Sequence, residues 1–128
     1  MQGIYVLIIQ VSKSVRVDVG ALGNIFFKAN LYAYVGSAQN SLEKRIERHL
    51  KKAKCKFWHA DYLLDSIGVK VLKVFYREAG KAEEFLIAKS LGARGKPIVG
   101  FGSSDCKCKS HLFKIEDSSF SEESMREL

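Results

Sequence analysis

Hydrophobic positions along the chain follow strand period in three stretches and helical period in three others. Residues 3 to 11 (GIYVLIIQV) are dense in Ile, Val and Tyr and predict a first strand. Ser12 to Gly23 mixes polar residues with Val15, Val17 and Val19, which reads as an irregular or short-stranded loop. Asn24 to Val35 (NIFFKANLYAYV) predicts a second strand with a bend near Lys28 to Asn30. Antiparallel pairing of the two needs only the connection between them. Leu42, Ile46, Leu50 and Ala53 then recur as the apolar stripe of a helix capped by Asn40 or Ser41. Phe57 to Ile67 predicts a short second helix stopped by Gly68, and Val69 to Arg77 a third strand. Lys81 to Leu91 predicts a third helix closed by Gly92, with Ala79, Ala82 and Leu86 at the centre of its buried face. Arg94 to Lys109 is a Gly/Ser-rich loop holding the only proline, Pro97, and Ser110 to Ile115 predicts a short edge strand. The order β, β, α, α, β, α describes an α/β sandwich, a mainly antiparallel three-stranded sheet with helices packed on it.

Length changes this picture little: 128 residues suffice for one domain with its own core. Residues 1 to 115 form that domain, and the Ser/Glu-rich stretch 116 to 128 reads as a flexible tail or frayed helix. No run of about 18 apolar residues exists, so no membrane span is expected. The first apolar run alternates with strand period and has no basic segment before it, which argues against a secretory signal. Cys55, Cys106 and Cys108 are an odd count without a disulfide-framework spacing, and a reducing cytoplasm is the expected setting.

Charge changes it more. Residues 1 to 115 carry 20 Lys+Arg against 9 Asp+Glu, a balance of +11, while residues 116 to 128 carry 1 against 5, a balance of −4. The folded part is therefore more basic than the whole-chain +7. A polyanionic partner fits that excess, nucleic acid before membrane. Solubility charge alone is the plainer account of the same numbers.

The stretch from Tyr32 to Leu50 passes from strand through Gly36-Ser37 into the first helix. At about 100° per residue, Arg45 and His49 share one flank of that helix beside the core, and Lys44, Arg48, Lys51 and Lys52 point outward. Gly36 and Ser37 at the turn, with Lys44, Arg48, Lys51 and Lys52, are the positions expected to meet nucleic acid. Phosphodiester hydrolysis needs an activated water, charge neutralisation at phosphorus and a metal ion held by few protein ligands. A tyrosine serves as general base where cations lower its pKa, and arginine's planar fork suits phosphate. Tyr5, Tyr34, Arg45 and one glutamate are a sufficient inventory. On the third helix Glu83 lies about 60° from the centre of the expected buried face and Glu84 about 160°, so Glu83 is the expected Mg²⁺ or Mn²⁺ ligand. Taken singly, each of these residues is an ordinary strand tyrosine or helix former, and only the combination carries weight.

Gly3-Ile4-Tyr5 and Tyr34-Val35-Gly36 resemble the two half-motifs of the GIY-YIG nuclease superfamily. Asn40-x-Leu42-x-x-Arg45 is similar to the helix that supplies that family's catalytic arginine, and Glu83-x-x-Leu86-Ile87 to the one that carries its metal-binding glutamate. The resemblance spans residues 3 to 91. It implies a metal-dependent endonuclease with Tyr5 as general base, Tyr34 as a supporting hydroxyl, Arg45 on the phosphoryl charge and Glu83 on the ion. Arg48-His49-Leu50, Trp58-His59-x-Asp61-Tyr62-Leu63 and Phe101-Gly-x-x-Asp105-Cys106-x-Cys108-x-Ser110-His111-Leu112 resemble the mainly archaeal Uri-type branch, sometimes fused to a base-excision glycosylase. That implies DNA as partner and a role in repair or processing, with a base-excision glycosylase or another repair protein as a second partner. In two places the chain departs from the family: no asparagine follows the glutamate helix, where Asp105 stands in, and Ser37 follows the second half-motif where the excision-repair branch has lysine.

His49 beside Tyr5 is a candidate proton acceptor. Cys106, Cys108 and His111, with His49, Cys55 or His59 as a fourth ligand, have the donor chemistry of structural zinc. Their CxC spacing is not the usual CxxC knuckle, and buried free cysteines with His111 orienting the loop is the favoured reading. His59 and Asp61 suit either the cleft or the pinning of the second helix. The rival to a nuclease is a non-catalytic nucleic-acid-binding or repair-enzyme-interaction module on the same fold.

Overall fold

In a computed structural model, which describes residues 2–38, 40–51, 59–80, 82–101, 110–117 and 125–127, the first apolar run becomes the central strand β1, Gly3–Val11. Its continuous hydrophobicity follows from burial on both faces. Ile4, Val6 and Ile8 join one apolar cluster, and Tyr5, Leu7, Ile9 and Val11 the other, as side chains alternate across a strand.

The elements that follow are β2 (Val15–Asp18), a 3₁₀ turn (Gly20–Leu22), β3 (Asn24–Phe27), β4 (Asn30–Ala38), α1 (Leu42–Leu50), α2 (His59–Leu64), β5 (Val69–Glu78), α3 (Ala82–Arg94), β6 (Lys96–Pro97), β7 (Leu112–Ile115) and β8 (Arg126–Glu127). The main sheet runs β6-β7-β4-β1-β5-β8, every pair antiparallel, and β2-β3 form a separate hairpin. Leu42 and Ile46 of α1 and Leu63 and Leu64 of α2 join the Tyr5 cluster, while Ile87, Ala88 and Leu91 of α3 join the Ile4 cluster. No helix among the described residues is long and apolar enough to cross a membrane.

The antiparallel core β4-β1-β5 is the expected three-stranded sheet, but among the described residues the sheet has six strands. β7 is the expected edge strand, now covered in turn by β6. β6 and β8 hold two residues each, too few for a period to show. The expected second strand breaks at its bend into β3 and β4, which belong to different sheets. The end of the acidic tail is a strand rather than loose chain: Arg126 and Glu127 pair with Tyr76 and Phe75. Gly92 does not close α3, which continues to Arg94.

Two close approaches explain the glycines of the paired strands. A Cβ at Gly3 would stand 2.6 Å from the Arg77 carbonyl oxygen. Gly36 sits opposite Tyr5 in the β1-β4 register, and a Cβ there would stand 2.3 Å from the Tyr5 hydroxyl. The Tyr5 ring therefore lies across the backbone of Gly36. Gly36→Ala is expected to displace that ring and lower stability by about 1–3 kcal/mol, the usual cost of overpacking. A urea unfolding midpoint unchanged from wild type would rule out the contact.

Candidate active site

Ser41 sets the phase of α1, its Oγ accepting from Lys44 N–H at 3.2 Å as the N-cap. From that start Leu42, Ile46 and His49 form the buried line at i, i+4 and i+7. Leu50, expected on this stripe, is half exposed at the helix end, and Ala53 lies outside the described residues. A histidine thus takes an apolar position, and its Nε2 lies 2.6 Å from the Tyr5 hydroxyl. Tyr34, two positions from Gly36 on β4, meets the same imidazole edge-on at 5.8 Å between centroids. One turn before His49, Arg45 donates from Nη1 to the Ser37 carbonyl at 3.0 Å, and its guanidinium is near enough to Tyr5 to lower the hydroxyl's pKa. Tyr5, Tyr34, Arg45 and His49 are therefore brought together as the sequence predicts.

Burial dominates the electrostatics here. It pushes the Tyr5 hydroxyl well above its ordinary value, and Arg45 pulls part of the way back through its charge and hydrogen bond. Glu84 and Asp61 push it further up. Tyr34 is raised as well, by burial first and then by Tyr5, Glu84 and Asp61. Both hydroxyls stay protonated at neutral pH, and in the Nδ1–H tautomer of His49 the Tyr5 hydroxyl donates to Nε2.

The glutamates exchange the places expected of them. Glu84 is buried at 9% exposure, on one line with Ile87, Ala88 and Leu91, whereas Leu86 is 57% exposed. Glu83 sits half-exposed and pairs with Arg77, its Oε1 3.0 Å from Nη2. Two lines compete on α3: centring it on Ala82 and Leu86 sets Glu83 beside the core, whereas the line that is buried, 84-87-88-91, turns Glu84 inward. Glu84's charge raises the pKa of both tyrosines, after burial, whereas Glu83 is not among the groups that act on them.

Arg48 differs from expectation too. It does not point outward but makes a bidentate pair with fully buried Asp61, at 2.9 and 3.1 Å, joining α1 to α2. Asp61 thus pins the second helix. Lys44 is exposed, and Lys51 pairs with Glu47 at 3.5 Å in water, a contact of little energetic weight.

An aromatic contact that sequence reasoning missed extends the site. Phe101 packs on Tyr34 at 6.0 Å, on Phe27 at 6.2 Å and on His59 at 5.6 Å. Partial burial lowers the pKa of His59. His111 is buried where its backbone links Phe101 to β4: its N–H donates to Phe101 and its carbonyl accepts from Val35, both at 2.8 Å. Lys52, Asp105, Cys106 and Cys108 lie outside the described residues. Among the described residues no three His, Cys, Asp or Glu side chains are grouped to hold a metal ion. Of the two buried carboxylates, Asp61 is committed to Arg48, which leaves Glu84 as the candidate for an ion bound through a single carboxylate.

The model of the family described as "Domain of unknown function DUF123" matches residues 4–128. No curated protein and no solved structure matches the chain.

Two outcomes follow from this geometry. Asp61→Ala leaves the Arg48 guanidinium beside a buried gap, and because Arg48 reaches solvent in part, the expected loss is roughly 1.5–3 kcal/mol in chemical denaturation. A loss under about 0.5 kcal/mol would place the pair among inconsequential ones. The second concerns alkali. Folded Tyr5 and Tyr34 hold protons that the unfolded chain releases near pH 10, so their stabilisation is complete below about pH 10 and drains away as pH rises beyond it. Melting temperature should fall steeply above about pH 10 in wild type and less steeply in Tyr5→Phe; parallel slopes would refute the assignment.

Proposed function

The chain belongs to the DUF123 family, and we propose that it is a metal-dependent nuclease of the GIY-YIG type that hydrolyses phosphodiester bonds in DNA. The observation that carries this reading is the 2.6 Å contact between the Tyr5 hydroxyl and His49 Nε2, with the Arg45 charge acting on the same hydroxyl.

Hydrolysis requires removal of a proton from the attacking water. A free tyrosinate is a poor description of Tyr5, because burial holds the proton on. A relay suits the geometry better: Tyr5 passes its proton to His49 Nε2 as it accepts one from the water. The tyrosine is then never left with a full buried charge. Arg45, held by the Ser37 carbonyl at the end of β4, stands where charge would grow on the phosphoryl oxygens. Tyr34 packs against His49 and fixes the imidazole plane while keeping its own proton. Glu84 would hold the divalent ion, Mg²⁺ or Mn²⁺, and when bound that ion supplies Lewis-acid charge to the phosphate and lowers the pKa of nearby acids. The basic balance of residues 1 to 115 suits a polyanionic substrate, and Lys44 and Lys51 sit on the exposed side of α1.

Cleavage of labelled DNA structures with Mg²⁺ or Mn²⁺ tests the reading. Wild type should cut, Glu84→Gln should lose about 100-fold or more, and Glu83→Gln should stay near wild type. Loss in Glu83→Gln alone would return the ion to Glu83. Salt-sensitive binding by wild type without cutting on any substrate would favour a non-catalytic binding module on the same fold.

A further inference from the structure

The β2-β3 hairpin carries an exposed aromatic that the core does not use. Its inward residues Val17 and Phe27 are buried in the Tyr5 cluster, and Val15 and Ile25 pack against it. The outward positions are Arg16, Asp18, Asn24 and Phe26, which alternation would make uniformly polar. Phe26 breaks that pattern at 51% exposure.

The polar residues around it are arranged in a particular way. Arg16, directly opposite Phe26 in the register, holds its guanidinium carbon 5.4 Å from the ring centroid. Its Nη1 donates to Asn24 Oδ1 at 3.3 Å, and Asn24 Nδ2 donates to Asp18 Oδ1 at 2.8 Å. The hairpin's one carboxylate is thus turned to Asn24 while the guanidinium sits against the ring. Lys13 and Lys28 flank the strands, so residues 13 to 28 carry three cations against one anion.

One solvated ring beside a planar cation, with Lys13 and Lys28 together at the end of the hairpin where Val15 pairs with Phe27, is too small an apolar surface for a stable protein interface. It has the size and charge of a site for a single base and its phosphates. We infer that this face is a stacking platform for an unpaired base of a nucleic acid, with Phe26 and Arg16 as the π surface and Lys13 and Lys28 on the flanking phosphates. The platform is tied to the candidate active site: Phe27, the next residue, packs on Phe101 at 6.2 Å, and Phe101 on Tyr34 at 6.0 Å. Its role in selecting substrates with unpaired nucleotides rests on the nuclease reading; the binding itself does not.

The test uses the full chain in EDTA, with a fluorescein-labelled single strand containing 2-aminopurine and a blunt duplex of the same sequence. Wild type should bind the single strand and quench the 2-aminopurine emission. Phe26→Leu keeps a side chain of similar bulk without a π face; it should lose the quench and bind the single strand about ten-fold more weakly, with duplex affinity changed less than about two-fold. Thermal melts of both proteins check that the hairpin still folds. An unchanged quench, or equal losses on the two substrates, overturns the platform. Parallel reactions with Mg²⁺ separate the two ideas: cutting by wild type with an intact Phe26→Leu quench sinks the platform alone, whereas lost stacking without any cutting supports the platform and sinks the nuclease. Absence of binding to either substrate overturns both.

Discussion

The ring of Tyr5 lies across Gly36 and ends at His49 Nε2, and the candidate site is assembled around that placement. The absence of a side chain at position 36 lets the ring cross β4. The ring in turn gives the buried imidazole a hydroxyl partner, without which a polar side chain on the core line of α1 would be costly. Ser41 sets the helix phase that puts His49 there, and the same phase puts Arg45 one turn earlier at the end of β4. Glycine, tyrosine, histidine and arginine are therefore one constraint seen from two strands and a helix.

Charge around this centre is divided unevenly. Arg48 and Asp61 neutralise each other between α1 and α2, so the pair acts to hold the helices together. Arg45 and Glu84 act instead on the tyrosines, Arg45 lowering and Glu84 raising the hydroxyl pKa values. Desolvation outweighs both, and the hydroxyls remain neutral. A site poised this way responds strongly to any added positive charge, because a buried proton held by desolvation is released once a cation compensates the anion left behind. That property links the burial of Tyr5 to the proton relay proposed for it.

Much of the centre was legible along the chain. Arg45 and His49 follow from one helical flank, Tyr5 and Tyr34 stand out through the half-motifs they resemble, and local chemistry narrows the cap to Asn40 or Ser41. Glu84 is not legible because α3 has two competing apolar lines, and sequence alone does not weigh Leu86, which stays exposed, against Ile87 and Leu91, which join the cluster that holds Phe75 and Phe113. The place of Arg48 is not legible for a related reason. Its position on the helix surface is solvent-facing until α2 arrives with Asp61. Phe101 belongs to a motif of the loop after α3, but nothing near it in the chain signals its contact with Tyr34.

What the sequence determined by itself is whatever depends on a few neighbouring residues: the alternation of β1, the cap of α1, and the one-turn spacing of Arg45 and His49. Tertiary structure alone decided which of two glutamates turns inward, that Asp61 captures Arg48, that β6 covers the edge strand β7, and that the end of the acidic tail pairs with β5. Local periods set the orientation of side chains relative to their own element. Contacts between residues distant in the chain set which face of that element is covered, and burial, hydrogen-bond pairing and pKa all follow from the covering.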